Sequence, residues 1–293
     1  MNIDKLPKNV YPRLMAAAII FIFYWMVGKR KKFEEANLVQ NAQQASELWD
    51  VEYSRYQIQH EDIKQLRKAY ENNEKITSAY QSVIDFAKEI EKPKILEVGF
   101  GEAGDLIAIK NELKDAEIYG VESSDISVKN AKTISDLLKK DLKLMKADAY
   151  NLPFYEDTFD IVFLSQVFEH LPNPTDALKE QIRVTKNGGH LILGVPQLYH
   201  TQTIIKHALM HENLHDELGE IEYSVKEIKN MLIRPGLKIE EIVGRGSLFD
   251  EWIWGQMCRF LPKTSKKLKK HFHKNFSVSI ILTSKKIKNK LIH

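Results

Sequence analysis

The amino-acid sequence predicts an α/β protein whose core is a doubly wound, mostly parallel sheet of seven strands. From Pro93 onward, short apolar runs alternate with polar helical stretches, and a glycine-rich turn follows the first run. At 293 residues and 43% apolar composition the chain can bury a substantial core. Its single cysteine, Cys258, excludes an intramolecular disulfide framework and a cluster of cysteine metal ligands.

The elements of this domain follow from the apolar periodicity. Seven short runs are predicted as strands, at residues 94–98, 117–121, 142–146, 159–164, 190–195, 239–243 and 277–283. Three of the stretches between them are predicted as helices, at residues 105–113, 125–139 and 175–185. The domain is therefore expected to cover residues 93–284, with a lid at 196–224 and a basic, aromatic insertion at 249–276 before the last strand.

The amino-terminal segment, residues 1–32, is predicted to attach the chain to a membrane. Residues 14–27 form an uninterrupted apolar run, which is followed by Gly28 and four basic residues. As a helix this run spans about 21 Å against a hydrocarbon core of ~30 Å, so it either crosses a thinned bilayer or lies in the interface. Both alternatives place the rest of the chain at the cytoplasmic face of the membrane. A cleaved signal peptide is disfavoured because no small-residue cleavage site follows, and a buried core helix is the remaining alternative.

Residues 33–92 are predicted to form a helical connector and cap. They are charged, rich in Gln, Asn and Glu, and almost free of Pro and Gly until Pro93. They contain no catalytic or ligand-binding motif. Apolar residues among them, including Trp49 and Tyr53, either cover the mouth of a site or simply pack together.

Charge is segregated along the chain. Residues 1–33 carry a net charge of +6 and residues 259–293 carry +11, whereas residues 34–258 carry −14. Basic ends of this kind are typical of contact with a polyanion, either an anionic membrane surface or nucleic acid. The aromatic residues and lysines at 249–276 suit both partners, and the apolar amino-terminal run favours the membrane, with RNA second. The basic tail, residues 285–293, is predicted to be frayed and solvated.

The glycine-rich turn after the first predicted strand indicates a ligand site. Gly99, Gly101 and Gly104 satisfy the G-x-G-x-x-G pattern of nicotinamide dinucleotide folds. Two acids argue against a pyrophosphate: Glu97 precedes the first glycine by two residues, and Asp105 opens the next helix where a phosphate would lie. The sequence therefore favours a cationic cofactor.

The following predicted strands end in more polar groups. Glu122 lies 18 residues after Gly104, where a carboxylate can bind both hydroxyls of a ribose. The third and fourth predicted strands run into a further set of residues, Asp148, Ala149, Ser165, Gln166 and His170. Because parallel strands present their carboxyl ends at one edge of a sheet, these groups are expected to lie near one another.

In the order and spacing of these motifs the sequence resembles the class I S-adenosylmethionine-dependent methyltransferases, in particular the branch similar to quinone-biosynthesis methyltransferases. The resemblance covers roughly residues 93–245 and implies a Rossmann-like fold with S-adenosylmethionine as cofactor. In two places the chain departs from the family pattern: Glu97 stands for the more usual Asp, and Ala103 occupies the usual third-glycine position. The resemblance implies no metal, and it implies a set of cofactor-binding residues: Glu97, Gly99, Phe100, Gly101, Glu122, Ser123, Asp148, Ala149, Ser165 and Gln166.

The resemblance also implies the reaction, an in-line displacement in which the sulfonium methyl group passes to a nucleophile held close by. Such a site need not contain a dedicated base. For a hydroxyl acceptor we take His170 as the catalytic candidate, with Glu169, His200 and His215 as further candidates. The lid is expected to shape the acceptor pocket through a loosely defined set of residues, His200, His207, His211, His215 and Tyr223.

The preferred function is therefore a methyltransferase that acts at the cytoplasmic membrane surface on a lipid-linked or small-molecule hydroxyl acceptor. An RNA methyltransferase, a nicotinamide enzyme and a non-catalytic binding module stay open as alternatives. So does a membrane-anchored zinc metallopeptidase, because His211-Glu212-Asn213-Leu214-His215 reads as H-E-x-x-H. Its third ligand would come from a group of nearby acids, Glu220, Glu222, Glu240 or Glu241.

Overall fold

The computed structural model describes residues 42–54, 68–70, 72, 76–77, 79–198, 221–245 and 279–287. The helices within these ranges are α1 (Ala42–Ser54), α2 (Tyr80–Ala87), α3 (Gly104–Glu112), α4 (Asp125–Leu137), α5 (Pro174–Val184) and α6 (Val225–Ile233), with a 3-10 turn at Phe168–His170. The strands are β1 (Lys94–Val98), β2 (Glu117–Glu122), β3 (Lys143–Lys146), β4 (Phe159–Ser165), β5 (Thr185–Pro196), β6 (Leu237–Arg245) and β7 (Ser279–Lys286).

These strands form one sheet of seven, in the order β3-β2-β1-β4-β5-β7-β6. The pairs from β3 to β5 are parallel, and β7 runs antiparallel to both β5 and β6. The order reverses direction at β1, so β1 and β4 form the switch point where ligands bind in open α/β sheets. The predicted doubly wound, mostly parallel α/β sheet is confirmed.

Helices cover both faces of the sheet, which explains why the central strands are apolar on both sides. On one face, side chains of α2, α3 and α4 pack with Ile95 of β1 and Ile161 of β4. On the other face, side chains of α5 and α6 pack with Leu96 and Val162 from the same two strands. Alternate residues of β1 and β4 therefore enter opposite cores, and both strands of the switch point are packed on both faces.

Helix α2 lies within the segment predicted as a connector, but its side chains belong to the core. Val83, Ile84 and Ala87 have no exposed surface. They pack in the same cluster as Ile95 of β1 and Ile192 of β5. Helix α2 therefore shares the hydrophobic core of the sheet that begins with β1.

The strands at the far edge are longer than predicted. Strand β5 begins at Thr185, because Thr185 pairs with Phe159 directly after α5 ends. Strand β7 extends to Lys286, whose Nζ donates to the Thr185 carbonyl at 2.7 Å and to Asp157 at 2.8 Å. The prediction of a solvated tail from residue 285 is therefore wrong for Lys285 and Lys286, which pair with β5 and β6.

Several predictions fall outside the described residues: the apolar run at 14–27, most of the lid at 196–224 and the insertion at 249–276. Of the helices that the structure does describe, none combines the length and the apolar character needed to cross a membrane.

Candidate active site

A cleft of about 380 Å³ opens at the carboxyl ends of β1, β2, β3 and β4, within the size range of small-molecule sites. The structure brings together at this cleft His170 and all of the residues predicted to bind the cofactor. They are Glu97, Gly99, Phe100, Gly101, Glu122, Ser123, Asp148, Ala149, Ser165, Gln166 and His170.

The glycine-rich turn between β1 and α3 forms the floor of the cleft. Gly99 has φ +79° and Gly101 has φ +51°, a left-handed conformation that glycine adopts without strain. A Cβ on Gly99 would lie 2.3 Å from a methyl carbon of Val167, so the loops after β1 and β4 meet only because this side chain is missing. Ala103, at the position of the usual third glycine, adopts φ +59° as the N-cap residue that directly precedes α3. The departure from the family pattern at Ala103 is thus accommodated at the cost of local strain.

Glu122, at the end of β2, is a buried carboxylate oriented by backbone amides. Its Oε2 accepts a hydrogen bond from the Gly101 amide at 3.0 Å, and its Oε1 accepts one from the Ser123 amide at 2.7 Å. Burial raises the pKa of Glu122, while these hydrogen bonds oppose the rise. Oε1 also accepts the Ser123 hydroxyl at 3.2 Å and the Ser124 amide at 3.4 Å, so the free acceptor that Glu122 retains for a ribose hydroxyl is on Oε2.

Glu97, on β1, lies deeper than Glu122 and is only 2% exposed. Among the described residues its Oε2 has no hydrogen-bond partner. Burial raises the pKa of Glu97 well above its usual range, and the carboxylates of Asp105 and Glu122 raise it further. An unpaired buried carboxyl group is costly unless a ligand supplies a donor, so Glu97 fits a cationic or amino group in this part of the cleft.

The ends of β3 and β4 complete the cleft. The Asp148 side chain is exposed and accepts the Tyr150 amide at 2.9 Å, while Gln181 donates to the Ala149 carbonyl at 3.1 Å and fixes the turn. Ser165 is 5% exposed, and among the described residues its hydroxyl has no partner. After Glu97, Ser165 is thus a second buried polar group at the cleft whose hydrogen-bonding capacity a ligand can satisfy.

Two further groups after β4 are held by neighbouring elements. Gln166, at φ +59°, donates its backbone amide to Gly194 of β5 at 3.0 Å and its side-chain amide to Ser279 of β7 at 3.4 Å. The His170 ring lies in the 3-10 turn, with its centroid 5.1 Å from that of Trp49 in an edge-to-face arrangement. His170 therefore faces the cleft beside an aromatic wall.

Helix α1 covers the cleft and contributes to it residues that belong to none of the sequence motifs. Ser46 donates to the Ser123 carbonyl at 3.0 Å, and Asp50 accepts from the Ser124 hydroxyl and the Ile126 amide. Trp49 and Tyr53 line the cleft from the same helix. Since α1 is bonded directly to the loop that carries Glu122, the prediction of a cap is supported here by specific contacts.

In the sequence, Asp105 in the first turn of α3 indicates only a negative charge that disfavours a bound phosphate. It is 2% exposed and lines the cleft. Its Oδ1 accepts the Thr77 amide at 2.6 Å and its Oδ2 accepts the Thr77 hydroxyl. Burial raises the pKa of Asp105 to about 6, while both bonds from Thr77 act in the opposite direction.

The electrostatics of the cleft disfavour a pyrophosphate ligand. The described residues that line it include no Lys or Arg, and they include five acids: Glu97, Glu102, Asp105, Glu122 and Asp148. A pyrophosphate needs backbone amides and cations and would be repelled by this wall, whereas the sulfonium and ammonium groups of S-adenosylmethionine would be attracted. The residues present fit S-adenosylmethionine, and the nicotinamide alternative is disfavoured.

The zinc and lid predictions are tested only in part. The motif at 211–215, together with His200 and His207, lies outside the described residues. Tyr223 is buried against the Phe168 ring, 5.7 Å between centroids, and does not line the cleft. Glu240 is hydrogen-bonded to His190 at 3.0 Å. No group of three or more metal-ligating side chains occurs in the part of the chain that the structure describes.

Comparison with known proteins adds an independent finding. Residues 96–193 match the family described as a methyltransferase domain. An uncharacterized methyltransferase of Schizosaccharomyces pombe is 35% identical over 108 residues, 33% of this chain and 38% of that protein. A demethylmenaquinone methyltransferase of Thermotoga maritima is 28% identical over 111 residues, 38% of this chain and 47% of that protein. The crystal structure of a putative methyltransferase from Bacillus halodurans matches with a TM-score of 0.53 at 18% identity, covering 72% of this chain and 100% of that one. The matched region is thus less than half the length of both curated relatives.

Proposed function

We propose that this chain, whose residues 96–193 match a methyltransferase domain family, is a class I S-adenosylmethionine-dependent methyltransferase that acts on a small-molecule or lipid-linked hydroxyl acceptor at the cytoplasmic face of a membrane. The assignment of a methyltransferase rests on the cleft. Among the described residues the Oε2 atom of buried Glu97 has no hydrogen-bond partner, and five acidic residues line the same ligand space. Such a wall suits a cofactor that bears positive charge.

The side chains have distinct roles in this proposal. Glu122 binds the ribose hydroxyls, Asp148 and the Ala149 backbone face the adenine, and Glu97 faces the amino-acid end of the cofactor. S-adenosylmethionine, when bound, supplies an electrophilic methyl group on its sulfur. The chain's contribution is to orient that group toward an acceptor and to exclude water beneath α1, because proximity and orientation supply most of the rate enhancement in such displacements.

Calorimetric titration of the full chain tests the cofactor assignment. We expect saturable binding of S-adenosylmethionine and S-adenosylhomocysteine, and none of NAD. Glu122→Gln should weaken binding about tenfold or more, because it removes charged hydrogen bonds to the ribose. Glu117→Gln is the matched control, since Glu117 lies on the same strand but points to solvent and Lys143. A folded chain that binds neither adenosyl ligand would overturn the assignment.

The acceptor class is proposed from the relatives and from the sequence. One relative is named for demethylmenaquinone, and the apolar run at 14–27 with its basic flank supports a site at a lipid surface. Transfer of labelled methyl groups to lipid extract, aqueous extract and RNA separates the alternatives. We expect label in the lipid fraction; label in RNA alone would instead favour the RNA methyltransferase.

Membrane attachment needs its own test because it is independent of catalysis. Full-length chain should float with vesicles containing anionic lipid, and added salt should weaken but not abolish this association, since the apolar run contributes as well as the basic residues. A chain that stays with the soluble fraction at low salt in the presence of anionic vesicles would contradict the proposed location.

His170 is proposed as the general base for a hydroxyl acceptor, because it lines the cleft beyond Ser165 and Gln166. His170→Gln should lower kcat about 100-fold or more while leaving the affinity for S-adenosylmethionine within about twofold. An unchanged kcat would show that positioning alone activates the acceptor.

A further inference from the structure

Two buried carboxyl groups, Glu97 and Asp105, lie together at one end of the cleft. Both are only 2% exposed, and both line the ligand space. The Glu97 Oε2 atom has no hydrogen-bond partner among the described residues, so this end of the cleft contains an unsatisfied acceptor aimed at a ligand. Motif comparison assigns a cofactor role to Glu97 but none to Asp105.

The sheet order indicates which part of the cofactor this end receives. Asp148 follows β3, Glu122 ends β2 and Glu97 lies on β1, and these strands are neighbours in the sheet. An adenosyl ligand with its adenine at Asp148 and its ribose at Glu122 therefore extends its amino-acid end over β1 and the start of α3. That end carries an ammonium group, and Asp105 lies in the first turn of α3.

Asp105 is fixed in place by Thr77, which comes from outside the β-α unit of the glycine-rich turn. The Thr77 amide and hydroxyl donate to different oxygens of Asp105, and the Thr77 hydroxyl also accepts the Ala79 amide at 3.2 Å. Each Asp105 oxygen keeps one lone pair after these bonds. Thr77 thus orients a carboxylate that still has the capacity to accept from a ligand.

No described positive charge neutralises the carboxylates of Glu97 and Asp105. Glu122 of β2 faces Glu97 with the same sign of charge, and Tyr80 of α2 is a further titratable group near Asp105. No described Lys or Arg forms an ion pair with Glu97 or Asp105, and Lys110 of α3 donates instead to the carbonyls of Lys114 and Ala116, which follow the helix. The missing counter-charge must come from a ligand or from protons.

We propose that Asp105, oriented by Thr77, is a second carboxylate for the ammonium group of the cofactor, and that it acts with Glu97 so that cofactor binding is coupled to loss of protons from the pair. The inference rests on the proposed S-adenosylmethionine site. Asp105 is a binding residue and Thr77 is a positioning residue. Because a bound cation favours the ionised carboxyl groups, affinity rises with pH until the carboxyls of the free chain are already ionised.

Three ligands applied to the full chain separate the contributions. S-adenosylmethionine has the ammonium and sulfonium groups, S-adenosylhomocysteine has the ammonium group alone, and 5′-methylthioadenosine has neither. Between pH 5 and 7, below the usual pKa range of an α-amino group at about 7.7 to 8.0, the first two should gain about tenfold or more in affinity. The third should change by less than about twofold. Equal pH dependence of all three ligands would overturn the inference.

Proton release gives a second measurement on the unaltered chain. Titration calorimetry at pH 6 in buffers of different ionisation enthalpy should show protons released with S-adenosylhomocysteine and none with 5′-methylthioadenosine. If both ligands release the same number of protons, the pair does not face the ammonium group. If neither nucleoside binds at all, the proposed function fails and the inference fails with it.

Variants then assign the effect to Asp105. Asp105→Asn should remove about tenfold of the gain in S-adenosylhomocysteine affinity between pH 5 and 7. Asp176→Asn, a surface charge change of the same kind, should leave that gain unaltered. Thr77→Val should shift the midpoint of the affinity–pH curve to higher pH, because it removes a hydrogen bond that favours the ionised Asp105 carboxyl. Thr77→Ser, which keeps the hydroxyl, should restore the midpoint. A purely structural Asp105 would lower affinity equally at every pH, which would contradict the proposal.

Discussion

The contact between the loops after β1 and β4 can be tested by adding one methyl group. In Gly99→Ala the new Cβ would lie 2.3 Å and 2.9 Å from the two methyl carbons of Val167, at a residue whose φ is +79°. The left-handed conformation costs a non-glycine residue about 1–2 kcal/mol, and overpacking against a branched side chain costs about 1–3 kcal/mol more. Gly188→Ala is the matched control, because φ is +83° there and an added Cβ meets no atom within 4 Å.

Urea denaturation of the ligand-free chain measures both contributions. Gly188→Ala should lose only the conformational part, about 1–2 kcal/mol, while Gly99→Ala should lose about 2–5 kcal/mol. Val167→Ala introduced into Gly99→Ala should recover about 1–3 kcal/mol, and introduced into Gly188→Ala it should recover nothing. If Gly99→Ala and Val167→Ala add without coupling, the methyl contact does not explain why residue 99 is a glycine.

Three more outcomes follow from the structure. Gly120→Ala should cost about 1–3 kcal/mol in denaturation, because its Cβ would lie 2.6 to 2.9 Å from the Phe100, Leu106 and Leu144 side chains. Asp50→Ala should weaken S-adenosylmethionine binding by releasing α1 from Ser124; unchanged affinity would show that α1 does not govern the site. Burial raises the pKa of Asp105 from 3.8 to about 6, so its stabilising contribution is present below about pH 4 and is lost as the pH rises through 6. This group should make the free energy of unfolding fall by about 3 kcal/mol as the pH rises through this window, and Asp105→Asn should remove that fall. Parallel profiles of unfolding free energy against pH for the two proteins would refute the raised pKa of Asp105.

The core of the site could be predicted from the sequence because its parts follow strand ends. Glu97, Glu122 and Asp148 each come at or directly after a short apolar run, and parallel strands bring such positions to one edge of the sheet. No pairing of distant residues had to be known for this inference. The boundary errors arose where no local signal exists: Thr185 joins β5 through its pairing with Phe159.

The contacts that the sequence did not reveal join residues distant in the chain. Asp50 meets Ser124, and Thr77 meets Asp105, through hydrogen bonds that no spacing rule encodes. A partial signal was present in α1, where Trp49 and Tyr53 are four residues apart and therefore share one helical face. That pattern predicts a face to be covered, but it does not say whether the face meets a sheet, a membrane or a ligand.

The buried acids connect stability to function in this fold. A core built for stability alone would not place Glu97 and Asp105 together, 2% exposed and without a described Lys or Arg beside them. Each ionised carboxyl in such a place destabilises the free chain, and protonation only partly relieves the cost. A ligand that brings positive charge removes the cost at the moment of binding, so part of its binding free energy is the relief of this electrostatic strain. The same arrangement would repel a pyrophosphate, so in the proposed function the selectivity of the cleft for a cationic adenosyl cofactor has the same physical origin as its affinity.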